Sequence, residues 1–515
     1  MNVKRIKLLS ILLVICFVFS VALTSCGKDE ETEVSQGETS SPFHDENGRY
    51  VGSTSGNTYE GKTITFLTCS VNKTYESEIL FNTYEDGAAK TLPEVLNENL
   101  KHRANYVEEK LGITIEEKKV HDTGRPGGGM VTAIREGNLS ATQDYQIVVP
   151  CLYDGASLAI DGQLHNLRGE QFANLQLDAP WWNQEFNSGM TYADQLYFTI
   201  GDIGIGNKSS TAALYFNLDL WENNGLTKMF GGTPYELVRS GDWTVDTVFE
   251  AAKQISKDEN DDNKIDYKDS VGWGGQLDDM WSIFYASGER IAKADANGYP
   301  MISMYNERSA KLIGKLQEFV QDDDHYISAN DYFGVDGITW PVEAFIEPAF
   351  TEGRALFYNS NVGAAINLGN MEQHFGIVPV PKADKTQDSY YSLVNPWTST
   401  CFAVPLSVRG ADITMVTDVL NVMAAESMNT VTVHYHEVIN YMKTRDDDSV
   451  DMLNNYILPN RGCDVGMVYK WGGLDSLLQE MASANIGTFS SKFDSKAEAA
   501  QNGLNKTLEF FKANE

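Results

Sequence analysis

Residues 350–382, FTEGRALFYNSNVGAAINLGNMEQHFGIVPVPK, decide the fold. Glu352-Gly353-Arg354 turns the chain after a short helical phrase, and Ala355-Leu356-Phe357-Tyr358 reads as a short buried strand. A polar loop follows, Asn359-Ser360-Asn361, and then an apolar helix is expected over 362–371. A second strand is expected over 376–381, closed by Pro379 and Pro381, since proline cannot sit inside a sheet and marks a strand's end. Strand, polar loop, helix, strand is a βαβ unit. Open α/β sheets hold ligands beyond the carboxyl ends of such strands, which makes Asn359, Ser360 and Asn361 candidate ligand contacts.

The same alternation runs upstream. Strands are expected over 61–68, 113–120 and 144–149, with helices over 92–111 and 130–136 between them. Gly112 stands where a helix C-cap glycine belongs. A further strand is read over 212–217, and Thr244 caps a helix running through 255, with Val245, Val248, Phe249 and Ala252 on its apolar side. Strands alternating with helices imply a parallel α/β sheet.

A length of 515 residues is enough for two or three domains. Apolar residues at 42% and aromatics at 11% place the chain among folded proteins. A formal charge of −32 argues against nucleic acid as a partner, because phosphate affinity needs clustered Lys and Arg. Cys69, Cys151, Cys401 and Cys463 fall in no C-x-x-C spacing, and their pairing is not legible.

The amino terminus reads as an export signal, with Lys4, Arg5 and Lys7 before an apolar run over 8–23. Leu23-Thr24-Ser25-Cys26 matches a bacterial lipobox, so cleavage is expected before Cys26 and lipidation on it. Residues 28–58 are rich in Ser, Glu, Thr and Gly and are expected to form a flexible tether.

One stretch suggests a metal. In Asp258-Glu259-Asn260-Asp261-Asp262-Asn263-Lys264-Ile265-Asp266-Tyr267-Lys268-Asp269, oxygen side chains fall at loop positions one, three, five, nine and twelve. The Lys264 carbonyl would serve position seven, and calcium favours such a ring of oxygens. Asn263 replaces the usual turn glycine and Asp269 the bidentate Glu. A structural Ca2+ is the expectation, with no cofactor required beyond it.

Phrases along the whole mature chain resemble family-1 extracellular solute-binding proteins, the maltose-binding-protein-like receptors of ABC importers. They include Phe350-x-x-Gly353-Arg354-Ala355-Leu356-Phe357, Gly376-Ile377-Val378-Pro379-Val380-Pro381-Lys382, Leu214-x-Phe216-Asn217 and Asp242-Trp243-Thr244-x-Asp246. The resemblance implies a two-lobed, periplasmic-binding-protein-like (class II) α/β fold that closes on a hinge. It assigns 1–25 to the signal, 26–58 to the tether, 59–203 and 340–395 to the N-terminal lobe, and 204–339 and 396–515 to the C-terminal lobe. Its ligand is a small solute, a sugar or oligosaccharide first, with a peptide, polyamine or glycerol phosphate as alternatives. Its partners are the ABC permease subunits and, through Cys26, the outer face of the cytoplasmic membrane; the receptor is expected to be a monomer.

A sugar receptor stacks aromatic planes on the ligand's C–H faces and meets its hydroxyls with polar groups. Trp273, Trp281, Trp397 and Trp471 lie beside expected cleft turns, and Tyr153 and Asp154 follow the strand over 144–149. These join Asn359, Ser360 and Asn361 as ligand candidates, although a tryptophan is more often a core residue. No G-x-S-x-G elbow, phosphate loop or H-E-x-x-H occurs, and the expectation is a binding protein rather than an enzyme; a surface hydrolase or an adhesin would be the rival of another class.

Overall fold

The computed structural model describes residues 42–69, 77–82, 93–120, 127–142, 144–439 and 446–514. The signal, Cys26 and the first part of the tether lie outside the described residues. Two sheets organise the rest. In the first, β1 (Lys62–Cys69) runs parallel to β2 (Ile113–Val120) and, on its other side, to β3 (Ile147–Val149). Helix α1 (Glu94–Leu111) buries Leu96, Leu100, Val107 and Leu111, the stripe that its helical spacing dictates, and stops at Gly112 with φ of 69°. Helix α2 (Gly129–Ser140) precedes β3, and α3 (Leu152–Ile160) follows it.

The second sheet has six strands. Its centre is β4 (Ala212–Asn217), whose Asn217 caps the next helix by accepting from the Leu220 amide. Helix α4 (Val245–Ala252) is capped by Thr244, as its sequence predicts. Then come β5 (Ser270–Gly275), α5 (Asp279–Ala286), β6 (Tyr326–Ser328), β7 (Ala355–Asn361) and β8 (Phe375–Val378). The strand order is β8, β4, β7, β5, with β6 and the short strand Ser256–Lys257 both pairing with β5.

The deciding stretch forms the expected strand–helix–strand, with two changes. Both β7 and β8 are antiparallel to β4, which lies between them, so they run the same way without being neighbours. The connection over Val362–Asn370 winds as a 3-10 helix. Its small residues let it close on the second sheet's entry: a Cβ on Gly363 would stand 3.0 Å from the Ser209 Cβ.

Two boundaries need correction. Residues 340–395 do not return to the first lobe, because β7 and β8 belong to the sheet of β4 and β5. The return comes afterwards: Thr400 and Ala403 bridge Cys151 and Val148, and Phe402 bridges Thr199. The chain thus passes between the sheets over 199–211 and 394–402, and Ser392–Leu393 pairs with Arg461–Gly462 beside these crossings.

The expected tether is also shorter than 26–58. Phe43 meets Trp181 edge-on at 5.4 Å, and residues 49–59 are strapped along α7 (Ala411–Asn429). Arg49 pairs with buried Glu426 at 2.9 Å, and the hydroxyls of Ser55 and Tyr59 donate to Asp418 at 2.6 and 2.7 Å. Cys69, Cys151, Cys401 and Cys463 form no disulfide among the described residues.

Candidate functional site

Parallel strands β5 and β7 pair as far as Gly274 and Tyr358, β7 runs on to Asn361, and α5 begins four residues beyond β5. Asp279, in the first turn of α5, is 3% exposed. It accepts hydrogen bonds from the Trp273 Nε1 at 2.9 Å and the Tyr326 hydroxyl at 3.2 Å. Burial pushes its carboxyl up to about 8, against the opposing hydrogen bonds from Trp273, Gln276 and Asn359. Only glycine fits at 275, where a Cβ would coincide with the Asp279 carboxylate. Neighbouring Asp278 is raised by burial too, and accepts from Gln479.

Asn359 and Trp281 complete this edge. The Asn359 Nδ2 donates to Ser282 Oγ at 2.8 Å. Its Oδ1 and the Trp281 Nε1 are both buried with no hydrogen-bond partner among the described residues. Unmade hydrogen bonds of buried groups are costly, so a polar guest beside the end of β7 and the start of α5 would find an acceptor and a donor to satisfy. Ser360 and Asn361 are half-buried at the same edge.

The first sheet presents its own carboxyl edge. After β3 the chain enters α3, whose first turn carries Tyr153 and Asp154. Asp154 is fully buried and accepts from the Gly127 amide at 2.9 Å. The Lys470 ammonium lies 4.4 Å from the centre of the Tyr153 ring and pairs with Asp475 at 3.6 Å. Burial raises the Tyr153 hydroxyl, and the charges of Asp475 and Asp278 raise it further. Asp278 begins α5, so the starts of α3 and α5 lie close enough to feel each other's charge.

The sequence candidates therefore divide. Tyr153, Trp281 and Asn359 fall at the starts of α3 and α5 and the end of β7, near Asp278 and Asp279. Trp273 belongs to the core, its N–H spent on Asp279 and its ring against Phe249, Phe319 and Phe357. Trp471 is a core residue as well, donating to Thr507 Oγ1 at 2.9 Å in the carboxyl-terminal helix Phe489–Ala513. Trp397 is 48% exposed on the crossing segment. Asp278, Asp279 and Lys470 were not singled out in the sequence, although Gly274-Gly275 followed shortly by two acids at a helix start was a usable signal.

The loop read for calcium is closed by its own backbone. The Asp258 carboxylate accepts from the amides of Asn260, Asp262 and Asn263, Asn260 from Asp262, and Asp262 from that of Lys264. Asp266 accepts from the Lys268 amide, and Asp269 from those of Glu259 and Asp266. Among the described residues, no group of three or more His, Cys, Asp or Glu side chains is arranged to hold a metal ion.

No protein-family model matches the chain, and no curated protein matches it either. Solved structures do. An ABC substrate-binding protein from Listeria monocytogenes in complex with cycloalternan superposes at a TM-score of 0.50 and 12% identity, over 87% of this chain and all of that one. The maltose-binding periplasmic protein of the same organism, in complex with maltose, gives 0.50 at 13% identity over 86% of this chain and 97% of its own. UspC of M. tuberculosis gives 0.51 at 12% identity, over 85% of this chain and 100% of that one. Identities this low speak for architecture alone, and the crossing segments and paired sheet edges agree with it: the chain has the two-lobed α/β fold of the ABC-transporter solute-binding proteins.

Proposed function

We propose that this protein captures a sugar or oligosaccharide between its two sheet edges and delivers it to an ABC importer at the outer face of the cytoplasmic membrane, anchored through Cys26. The observation that carries this reading is the pair of unpartnered buried groups, Asn359 Oδ1 at the end of β7 and Trp281 Nε1 on α5, the helix whose N-cap Asp278 is near enough to Tyr153 to act on its hydroxyl. A sugar hydroxyl donates and accepts at once, so one hydroxyl can give its proton to Asn359 while another accepts from Trp281. Asp279, held largely protonated at neutral pH, keeps the pocket floor from adding a full charge that a neutral guest would leave uncompensated. The rings of Trp281 and Tyr153 offer apolar faces to the sugar's C–H surface. Bending at the two crossing segments would bring the edges together on the bound solute. The reading is of a binding protein, with no catalytic residue assigned.

The test is thermal melting and calorimetry of residues 42–515 against mono- and oligosaccharides, with small peptides, polyamines and glycerol phosphate beside them. Ligand at a hundredfold its dissociation constant adds about 2.7 kcal/mol to stability. One sugar class should raise the melting temperature, and Asn359→Ala or Trp281→Phe should weaken that ligand by roughly tenfold, about 1.4 kcal/mol. Silence across all sugars with a clear rise for peptides or amines would overturn the choice of cargo.

A further inference from the structure

The acidic surface of this chain hides a local concentration of positive charge. Arg239, Lys382 and Lys385 are far apart in sequence or unremarkable there, yet all three line one pocket of about 450 Å³ in the second lobe. Two of them are already matched. Arg239 pairs with Asp448 at 2.5 Å and Asp451 at 2.7 Å, and Lys385 pairs with Asp242. Lys382 is not. It is 4% exposed and makes no ion pair within 4.0 Å among the described residues.

Asp242 and Asp384 are near enough to feel the Lys382 charge, yet neither makes an ion pair with it, and Asp242 is already taken by Lys385. The Lys382 Nζ donates to the Gln387 carbonyl at 2.8 Å and lies 5.3 Å from the centre of the Tyr390 ring. A carbonyl uses one of three N–H donors, and a ring face attracts the charge without accepting all of it. Gly241, with φ of 79°, makes the space: a Cβ there would stand 3.2 Å from the ammonium. Asp388 also lines the pocket, but it is exposed. A charge removed from water wants a counter-charge, and the pocket beside Lys382 is open to supply one.

We propose that this pocket is a second binding site, distinct from the sheet-edge cleft, which takes a small molecule through a carboxylate or phosphate group on Lys382. The two sites sit at opposite ends of α5. Gln387 Nε2 donates to the Ala286 carbonyl at the carboxyl end of that helix, whereas Asp279 and Trp281 are at its start, about 12 Å away for eight residues. Tyr456 and Asn460 also line the pocket, giving the rest of the molecule a ring and an amide.

Calorimetric titration of residues 42–515 with inorganic phosphate, and separately with citrate, at fixed ionic strength tests this directly. Saturable binding of either anion by the wild type is expected below about 10 mM, and which of them binds decides between the two groups. Lys382→Met should abolish it. Ser389→Asp places a carboxylate in the pocket lining while keeping Lys382 and should weaken binding by roughly tenfold or more. Asn359→Ala, in the cleft, should leave anion affinity unchanged. Absence of binding for both anions in the wild type overturns the proposal, as does equal affinity in the wild type and Ser389→Asp.

Discussion

Asp279 shows how much a single residue's role depends on what surrounds it. The chain has 72 acidic residues, and its sequence marks this one only by the glycine pair before it and its place at a helix start. Burial sets it apart, by lifting its carboxyl to about 8, far above the usual carboxylate range. The unfolded chain loses this proton as pH rises past 4, while the folded chain keeps it until about 8. Over that window the native state binds more protons, so this residue makes stability fall as pH rises, by at most about 1.4 kcal/mol per pH unit. Asp279→Asn removes the titration and keeps the shape. Urea unfolding at pH 5 and pH 8 should therefore show the variant gaining on the wild type at the higher pH. An identical difference at both values would mean that the carboxyl ionises normally. The tryptophans teach the converse lesson: Trp273, Trp281 and Trp471 look alike in sequence, and only the structure shows that the indole N–H groups of the core pair, Trp273 and Trp471, are spent on Asp279 and Thr507.

Among the elements, strands and helices with clear periodicity were readable nearly to the residue, as β2, β4 and α1 show. The segment before β1 was not. Residues 42–58 carry few apolar side chains, and a tether is what such composition predicts when stability is counted in buried apolar area alone. Here polar groups do the holding. Asp418 on α7 is 1% exposed and accepts from the Ser55 amide, the Ser55 hydroxyl and the Tyr59 hydroxyl. Gly52 lies flat on the same helix, and a Cβ there would stand 2.2 Å from the Asn421 carbonyl oxygen. Gly52→Val should lift the strap by direct collision. Asp418→Ala should destabilise by on the order of 2 kcal/mol, since several donors lose their acceptor at once. Limited proteolysis should then cut between 43 and 59 in both variants and leave this stretch intact in the wild type.

At the scale of the molecule, two lobes were legible but not which segment belongs to which. The assignment turns on whether β7 and β8 pair with β4 or with β1, and long-range pairing leaves no local trace. The crossings that join the lobes contain charges that sequence does not predict to be buried. Asp202 and Lys208 are 7% and 3% exposed and pair at 2.7 Å on the first crossing, and Arg461 lies close enough to act on both. Burial opposes the charge on Asp202, but Lys208 and Arg461 hold its carboxyl below the usual range. Such a pair gains little over an apolar one, yet losing one partner strands the other. Asp202→Asn should therefore cost roughly 3–5 kcal/mol, because Lys208 stays buried with its main counter-charge gone. Lys208→Met should be costly in the same way. The double variant should cost clearly less than the sum, since neither charge is then left alone. Urea unfolding of the four proteins closes the cycle. Strictly additive losses would mean that the pair is not coupled and that the crossing is held by its backbone hydrogen bonds instead.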